Sequence, residues 1–246
     1  MCTLAFEFNP GSAVPLVVAA NRDELKTRPS TGLKVWSKPL IVAPRDEIEG
    51  GTWLGVNGHG LFVGITNRFQ SAKHPERTSR GQLVLEALAQ PSAEGLHHWL
   101  TQLKRGQFND FHLAYADAER AFITWSADDV ISHRELSPGL HVVTERSFQQ
   151  STVAREALVR TSWPAKAAEH TATLQQLLRT KAEPSFDGLT VNLPEFNYGT
   201  RSSFILVREQ ELLKSRCWFA DGAPDVTAFV DRSDQLRTLF SLASKI

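Results

Sequence analysis

The chain has 246 residues with 27 acidic and 27 basic side chains, giving a formal net charge of zero, which excludes bulk charge as a means of binding nucleic acid or an anionic membrane. An apolar share of 41% suffices for a substantial core, and one domain over residues 1–246 is expected. Two cysteines, Cys2 and Cys217, exclude a disulfide framework and C-x-x-C metal or redox chemistry, and no stretch approaches the ~18 apolar residues of a membrane span.

The opening "MCTLAFEF" alternates, so Cys2, Leu4, Phe6 and Phe8 share one strand face and Thr3, Ala5 and Glu7 take the other. After the turn residues "NPGS" comes "PLVVAAN", apolar throughout and so expected to be covered on both faces. This early apolar stretch has no basic leader and runs at once into "NRDE", so a cytoplasmic protein with a structured start is expected. Next, "GTWLGVN" and "GLFVGITN" flank Asn57-Gly58, a dipeptide that tolerates the positive φ of a two-residue type I′ hairpin turn.

Two helices follow. Ser79 is placed to cap the first, with Gln82 as its capping-box partner, and the segment stops before Pro91. Ser92 caps the second, where Leu96, Trp99, Leu100 and Leu103 fall at helical spacing and Gly106 lies beyond the end. Strands return in "FHLAYA", "AFITWS", "VISHREL" and "GLHVV". A helical stretch from about Thr152 to Thr180 is interrupted by Pro164, predicting two helices, the second burying Leu174, Leu177 and Leu178. The end reads as strand in "SSFILVRE", "ELLKSRCWF" and "VTAFV". Strands in runs, helices in pairs and strands again predict an α+β fold of mainly antiparallel sheets. Because several strands are apolar on both faces, the arrangement expected is a four-layer α-β-β-α sandwich.

Chemistry centres on Cys2. Removal of Met1 would give it a free α-amine with a pKa of roughly 7.7–8.0 beside a thiol near ~8.5, so nucleophile and base would share one residue; the other reading is a small inward hydrophobe. In "VVAANRDE", Val17, Ala19 and Asn21 lie on one face and Val18, Ala20 and Arg22 on the other. Asp23 is suited to hold the Cys2 amine, and Arg22 to bind a carboxylate or lower the thiol pKa; alternatively the motif is a solvated turn with a local ion pair. Asn67 ends the apolar row Leu61, Val63, Ile65, and with Gly58-His59 or its neighbours as the turn, pairing would set it across from the region of Gly50-Gly51. An Asn amide plus a backbone N–H is an oxyanion hole; the alternative is an Asn capping a strand end. Trp53 either lines an acyl pocket or belongs to the core.

The order "MCT", "AANRDE", "RPS", "GGTWLGVN", "TN", "SRG" and "YGTRSS" resembles the NRDE family, whose eukaryotic members are called transport and Golgi organisation proteins. That family is similar to the N-terminal nucleophile cysteine hydrolases, such as choloylglycine hydrolase and penicillin V acylase. The resemblance implies that fold, with Cys2 as nucleophile, Arg22 and Asp23 after the second strand, Asn67 as oxyanion donor and Arg201 as a late substrate-binding Arg. Motif spacing differs here, so Asn21 or Glu24 can hold one of the equivalent places. A further Asn is implied after "GLHVV", where this chain reads Thr144-Glu145. A carboxylate donates no hydrogen bond unless protonated, so Glu145 would instead face an amine or cationic group of a substrate.

The reaction implied is cleavage of a linear amide or related acyl bond of a small molecule, with no cofactor. The rival is a non-catalytic carrier of a hydrophobic metabolite, since the family has been linked to haem or lipid-acyl handling. No metal is expected, because the eight histidines are scattered and His97-His98 point about 100° apart on a helix.

Overall fold

The computed structural model describes residues 2–69, 72–148 and 154–245. In chain order the first strands are β1 (Thr3–Phe8), β2 (Leu16–Leu25), β3 (Ser30–Ser37), β4 (Leu40–Asp46), β5 (Leu54–Asn57) and β6 (Phe62–Asn67), followed by α1 (Arg80–Leu88) and α2 (Ala93–Leu100). Then come β7 (Phe111–Ala116), β8 (Ala121–Ala127), β9 (Val130–Glu135), β10 (Gly139–Thr144), α3 (Ala154–Ser162) and α4 (Thr171–Leu178). The chain closes with β11 (Asn192–Leu193), β12 (Tyr198–Arg208), β13 (Arg216–Ala220), β14 (Val230–Asp231) and α5 (Ser233–Ala243).

These strands make two seven-stranded sheets. The first has the order β10-β1-β2-β12-β13-β14 with β11 added to β12, and the second runs β3 to β9 in sequence. Among the described residues every ladder is antiparallel. The alternation of β1 sends Leu4, Phe6 and Phe8 between the sheets, where they meet Leu54, Val56 and Phe62 of the hairpin. On the outer side of the second sheet, Leu61, Val63, Leu113 and Tyr115 pack under Leu83, Val84 and Leu88 of α1 and Leu96 and Leu100 of α2. Val17, Ala19, Ile205 and Val207 of the first sheet pack under Leu174 and Leu178 of α4, and Ala5 and Val142 under Val159 of α3. The layers are therefore helix, sheet, sheet, helix, and β2 is apolar on both faces because each face meets a separate core. Each buried large aliphatic or aromatic side chain contributes roughly 1.5–3 kcal/mol.

Several local details depart from expectation. The hairpin forms, with its turn centred on Gly58-His59, where Gly60 N–H donates to the Asn57 carbonyl at 3.0 Å, instead of on Asn57-Gly58. Asn57 N–H donates to the Leu61 carbonyl at 3.0 Å, and the residue at positive φ is Gly60, at 80°. The Asn57 side chain explains the longer loop. Its Oδ1 accepts from the N–H groups of His59 and Leu61, while Nδ2 donates to the Leu88 and Gln90 carbonyls, tying the turn to the end of α1. Ser79 and Ser92 cap their helices as read, and the Gln82 amide donates to the Glu49 carbonyl at 2.9 Å. Within "ELLKSRCWF" only Arg216–Ala220 is strand, and "VTAFV" contributes only Val230 to β14. The segment from Thr152 forms a helix from Ala154; Thr152 and Val153 lie outside the described residues. Unanticipated is α5, which sends Leu236, Leu239 and Phe240 into the inter-sheet core against β3, β4 and β13. Likewise β3 and β4 had not been read as strands.

Candidate active site

Where β1 begins and β2 and β6 end, the two sheets part around a cleft of about 310 Å³, whose walls include Cys2, Arg22, Asp23, Trp53, Asn67 and Arg80. The ladder sets the positions: Thr3 pairs with Asn21, so Cys2 stands beside Arg22 and Asp23. Its half-buried thiol donates a weak hydrogen bond to the Asp23 carbonyl at 3.9 Å. Burial pushes the thiol pKa above its usual value, the Asp23 charge adds to this, and Arg22 works against it. At neutral pH the sulfur is therefore protonated and needs a base to become a nucleophile.

Asp23 is buried. One carboxylate oxygen accepts from Thr200 Oγ1 at 2.7 Å and the other lies 3.4 Å from Arg155 Nη1, while its carbonyl also accepts from the Tyr198 hydroxyl at 2.9 Å. Burial raises the carboxyl pKa to about 6 against the lowering pull of Arg155 and Thr200. Arg22, 6% exposed, donates through Nη2 to Asp46 at 3.1 Å, with Glu24 at 3.5 Å. Its Nη1 is buried with no hydrogen-bond partner among the described residues. Arg28 also pairs with Asp46, and although burial alone would raise that carboxyl, this pairing holds it below the usual carboxylate range.

Asn67 closes β6, exposed at the cleft and paired in register with Phe111 of β7. The hairpin ladder continues through Ile65 N–H to the Trp53 carbonyl at 2.9 Å, which sets Asn67 across from the Gly50-Gly51 stretch. There the bare backbone is used for packing: a Cβ on Gly51 would fall 2.4 Å from the Gly81 carbonyl carbon. The cleft wall at this point is built from Thr52, Trp53 and Gly81. Trp53 meets both of its readings, since it lines the cleft and packs against the cores on either side of the second sheet.

Three residues read as substrate-binding lie elsewhere. Asn21 sits on the opposite face of β2, fully buried below α4. It donates to the carbonyls of Leu178 and Leu189 at 2.9 and 2.8 Å and accepts from Ser203 Oγ at 2.6 Å. The alternation of β2 requires this placement, so Asn21 is a structural staple. Glu145 is buried with Oε2 3.7 Å from Arg155 Nη1 and Oε1 3.7 Å from Arg146 Nε. Arg201 is the extra residue of a β-bulge between Thr200 and Ser202; it is half-buried, and the cleft is lined there by Ser202.

Two residues of the site escaped the sequence reading. Arg155, fully buried on α3, interacts with Asp23, Glu145, Thr3 Oγ1 and the Phe186 carbonyl. The available signal was an Arg four residues before Val159 on the inward stripe of its helix. Arg80, first residue of α1, lines the cleft and donates to the Asp110 carbonyl at 2.9 Å. Burial lowers its pKa, and the neighbouring Cys2 works in the opposite direction. The fate of Met1, on which a free Cys2 amine depends, lies outside the described residues.

Comparison with known proteins adds context. The family described as "Transport and Golgi organisation 2" matches residues 1–218. The "Transport and Golgi organization 2 homolog" of Mus musculus is 29% identical over 174 residues, 66% of this chain and 59% of that protein. The Homo sapiens homolog is also 29% identical, over 195 residues, 75% of this chain and 67% of that protein. The chain thus spans about three fifths of the mouse relative. Among solved structures, a Caenorhabditis elegans N-acylethanolamine-hydrolyzing acid amidase ortholog superposes with a TM-score of 0.58 at 13% identity, covering 96% of this chain and 97% of that one. A mutant conjugated bile acid hydrolase from Clostridium perfringens gives 0.54 at 12% identity, covering 96% and 94%. These likenesses concern the fold, that of the N-terminal nucleophile hydrolases.

Proposed function

The chain belongs to the Transport and Golgi organisation 2 family, and from that premise and its fold we propose that it is a single-domain cytoplasmic hydrolase of a linear amide or related acyl bond in a small molecule. The observation that carries the reading is a thiol on the cleft wall that touches the Asp23 backbone carbonyl and feels the charge of the buried Asp23 carboxylate. Removal of Met1 leaves an α-amine on the same carbon as the thiol. Uncharged, that amine takes the Sγ proton, and the thiolate attacks the substrate carbonyl. Asp23 orients the amine. The Asn67 amide and a backbone N–H receive the negative charge on oxygen as the carbon becomes tetrahedral. The amine returns its proton to the leaving nitrogen, and water then cleaves the thioester by the same route. Arg22, with an unused buried N–H group, supplies charge for an anionic part of the substrate, and Trp53 offers an apolar wall for the acyl part.

The test is direct. Protein made in its own host should show loss of Met1 by intact mass, and Cys2 should react with iodoacetamide faster than the fully buried Cys217. Turnover of an acyl-amide panel should disappear in Cys2→Ala. Retained Met1, or turnover that survives Cys2→Ala, would remove the proposal.

One observation favours a second reading, a carrier of a hydrophobic metabolite: Glu145 turns to Arg155, leaving the cleft without the midway amide donor that the hydrolase pattern implies. A carrier would bind its ligand with undiminished affinity after Cys2→Ala and would release no product.

A further inference from the structure

Behind the cleft, Arg155 is enclosed between two carboxylates from distant parts of the chain. Its Nη1 lies 3.4 Å from Asp23 and 3.7 Å from Glu145, at side-chain exposures of 0%, 0% and 6%. Arg155 is thus shared by two carboxylates, and a second guanidinium, that of Arg146, lies 3.7 Å from the other oxygen of Glu145. Buried charges are tolerated when paired, so Asp23 and Glu145 divide the Arg155 charge between them, and Asp23 is the one that also lines the cleft. The groups facing Asp23 are Arg155 from α3, Glu145 just beyond β10, Thr200 and Tyr198 from β12, Cys2 at the head of β1, and its neighbours Arg22 and Glu24 on β2.

Resting on the hydrolase reading above, we propose that Arg155 is a positioning residue that keeps Asp23 charged and fixed for the ammonium of residue 2, and that Glu145, competing for the same guanidinium, sets how strongly it does so. Glu145 is thereby accounted for without any contact to substrate. It is the second anion of a shared ion cluster, in a place where an amide would leave Arg155 to Asp23 alone. The Thr3 hydroxyl and the Phe186 carbonyl, at 3.3 and 2.7 Å from Arg155, fix the guanidinium in place, so its charge acts on Asp23 from one direction.

The proposal predicts shifts of opposite sign. Removing the cation (Arg155→Met) should move Asp23 protonation to higher pH, and removing the competing anion (Glu145→Gln) to lower pH, each by about 1 unit or more, as expected for a single charge within ~4–6 Å. Arg155→Lys should restore most of the wild-type value. The measurement is a carbon-13 titration of the Asp23 carboxyl in the full chain, assigned by its loss in Asp23→Asn, with folding checked by thermal melting. Opposed shifts support the proposal. Shifts of the same sign, or an unchanged midpoint in folded Glu145→Gln, overturn it even if Arg155→Met fails to fold. This titration reads Asp23 whether or not Met1 is cleaved and whether or not any substrate turns over. Iodoacetamide labelling of Cys2 and product release, run in parallel, report on the hydrolase reading alone, so either idea can fail while the other stands.

Discussion

Replacing Asn21 by Ala tests whether this residue belongs to the interior or to the cleft. In the folded chain its amide and carbonyl meet the carbonyls of Leu178 and Leu189 and the Ser203 hydroxyl. Leu178 would keep a partner, because Thr190 Oγ1 also donates to it at 2.7 Å. The Leu189 carbonyl and Ser203 hydroxyl, both on fully buried residues, would each lose theirs. Stranding a buried polar group costs about 1–3 kcal/mol, so Asn21→Ala should destabilise by roughly 2–5 kcal/mol. With a urea m-value near ~3 kcal/mol/M for a chain of this length, the unfolding midpoint should fall by about 1 M at unchanged slope. Iodoacetamide labelling of Cys2, measured well below that midpoint, should stay within about twofold of wild type, since Asn21 lies across the sheet from the thiol. A stability loss under ~1 kcal/mol, or a tenfold drop in Cys2 reactivity in protein that melts normally, would refute this placement.

Other outcomes are expected. Asp23 and His112 should tilt stability in opposite directions as pH falls. Asp23, raised by burial to about 6, binds a proton in the folded state before the unfolded chain does (near ~3.9), so its contribution rises on acidification from pH 7 to 4. His112, lowered chiefly by burial to about 4, resists a proton that the unfolded chain accepts near ~6.5, so its contribution falls over the same range. In urea titrations across that window, Asp23→Asn should therefore steepen the acid loss of stability and His112→Gln should flatten it; a change of the opposite sense in either would contradict the burial argument. Gly51→Ala, whose Cβ meets the Gly81 backbone at 2.4 Å, should destabilise by about 1–3 kcal/mol, and a neutral effect on thermal melting would show that α1 can retreat. Ser79→Ala removes the hydroxyl accepting from Gly81 N–H and should cost about 1 kcal/mol, read by the same melts.

What was legible in the sequence follows the strength of local signals. Alternation in "CTLAFEF" and the doubly apolar "PLVVAAN" implied an inter-sheet core and a second core outside it, and both exist. Ser79 and Ser92 marked helix starts because a hydroxyl accepting from the first turn is a short-range feature. The Asn57-Gly58 turn was misplaced because the Asn57 side chain serves α1, a tertiary demand with no local trace. The inward row Leu236, Leu239 and Phe240 was a readable helix stripe that went unused. At the site, strand parity placed Cys2 and Arg22 on the cleft side and Asn21 away from it, so the substrate role given to Asn21 ran against its own alternation. Arg155 was not legible as a partner of Asp23, because 132 residues separate them and only the folded sheet order brings them together.

That sheet order governs when the thiol can become dangerous to its surroundings. Strand β1 is flanked by β2 and by β10, and β2 in turn by β12, so Asp23 meets Thr200, 177 residues further along the chain, only after β12 has been made. During translation Cys2 has no Thr200 or Arg155 nearby to fix Asp23, and it behaves as an ordinary cysteine. Such long-range pairing slows folding, and under the proposed function it delays the reactive constellation until β12 has joined β2. A ribosome-stalled fragment ending before Tyr198 should accordingly lack enhanced Cys2 reactivity.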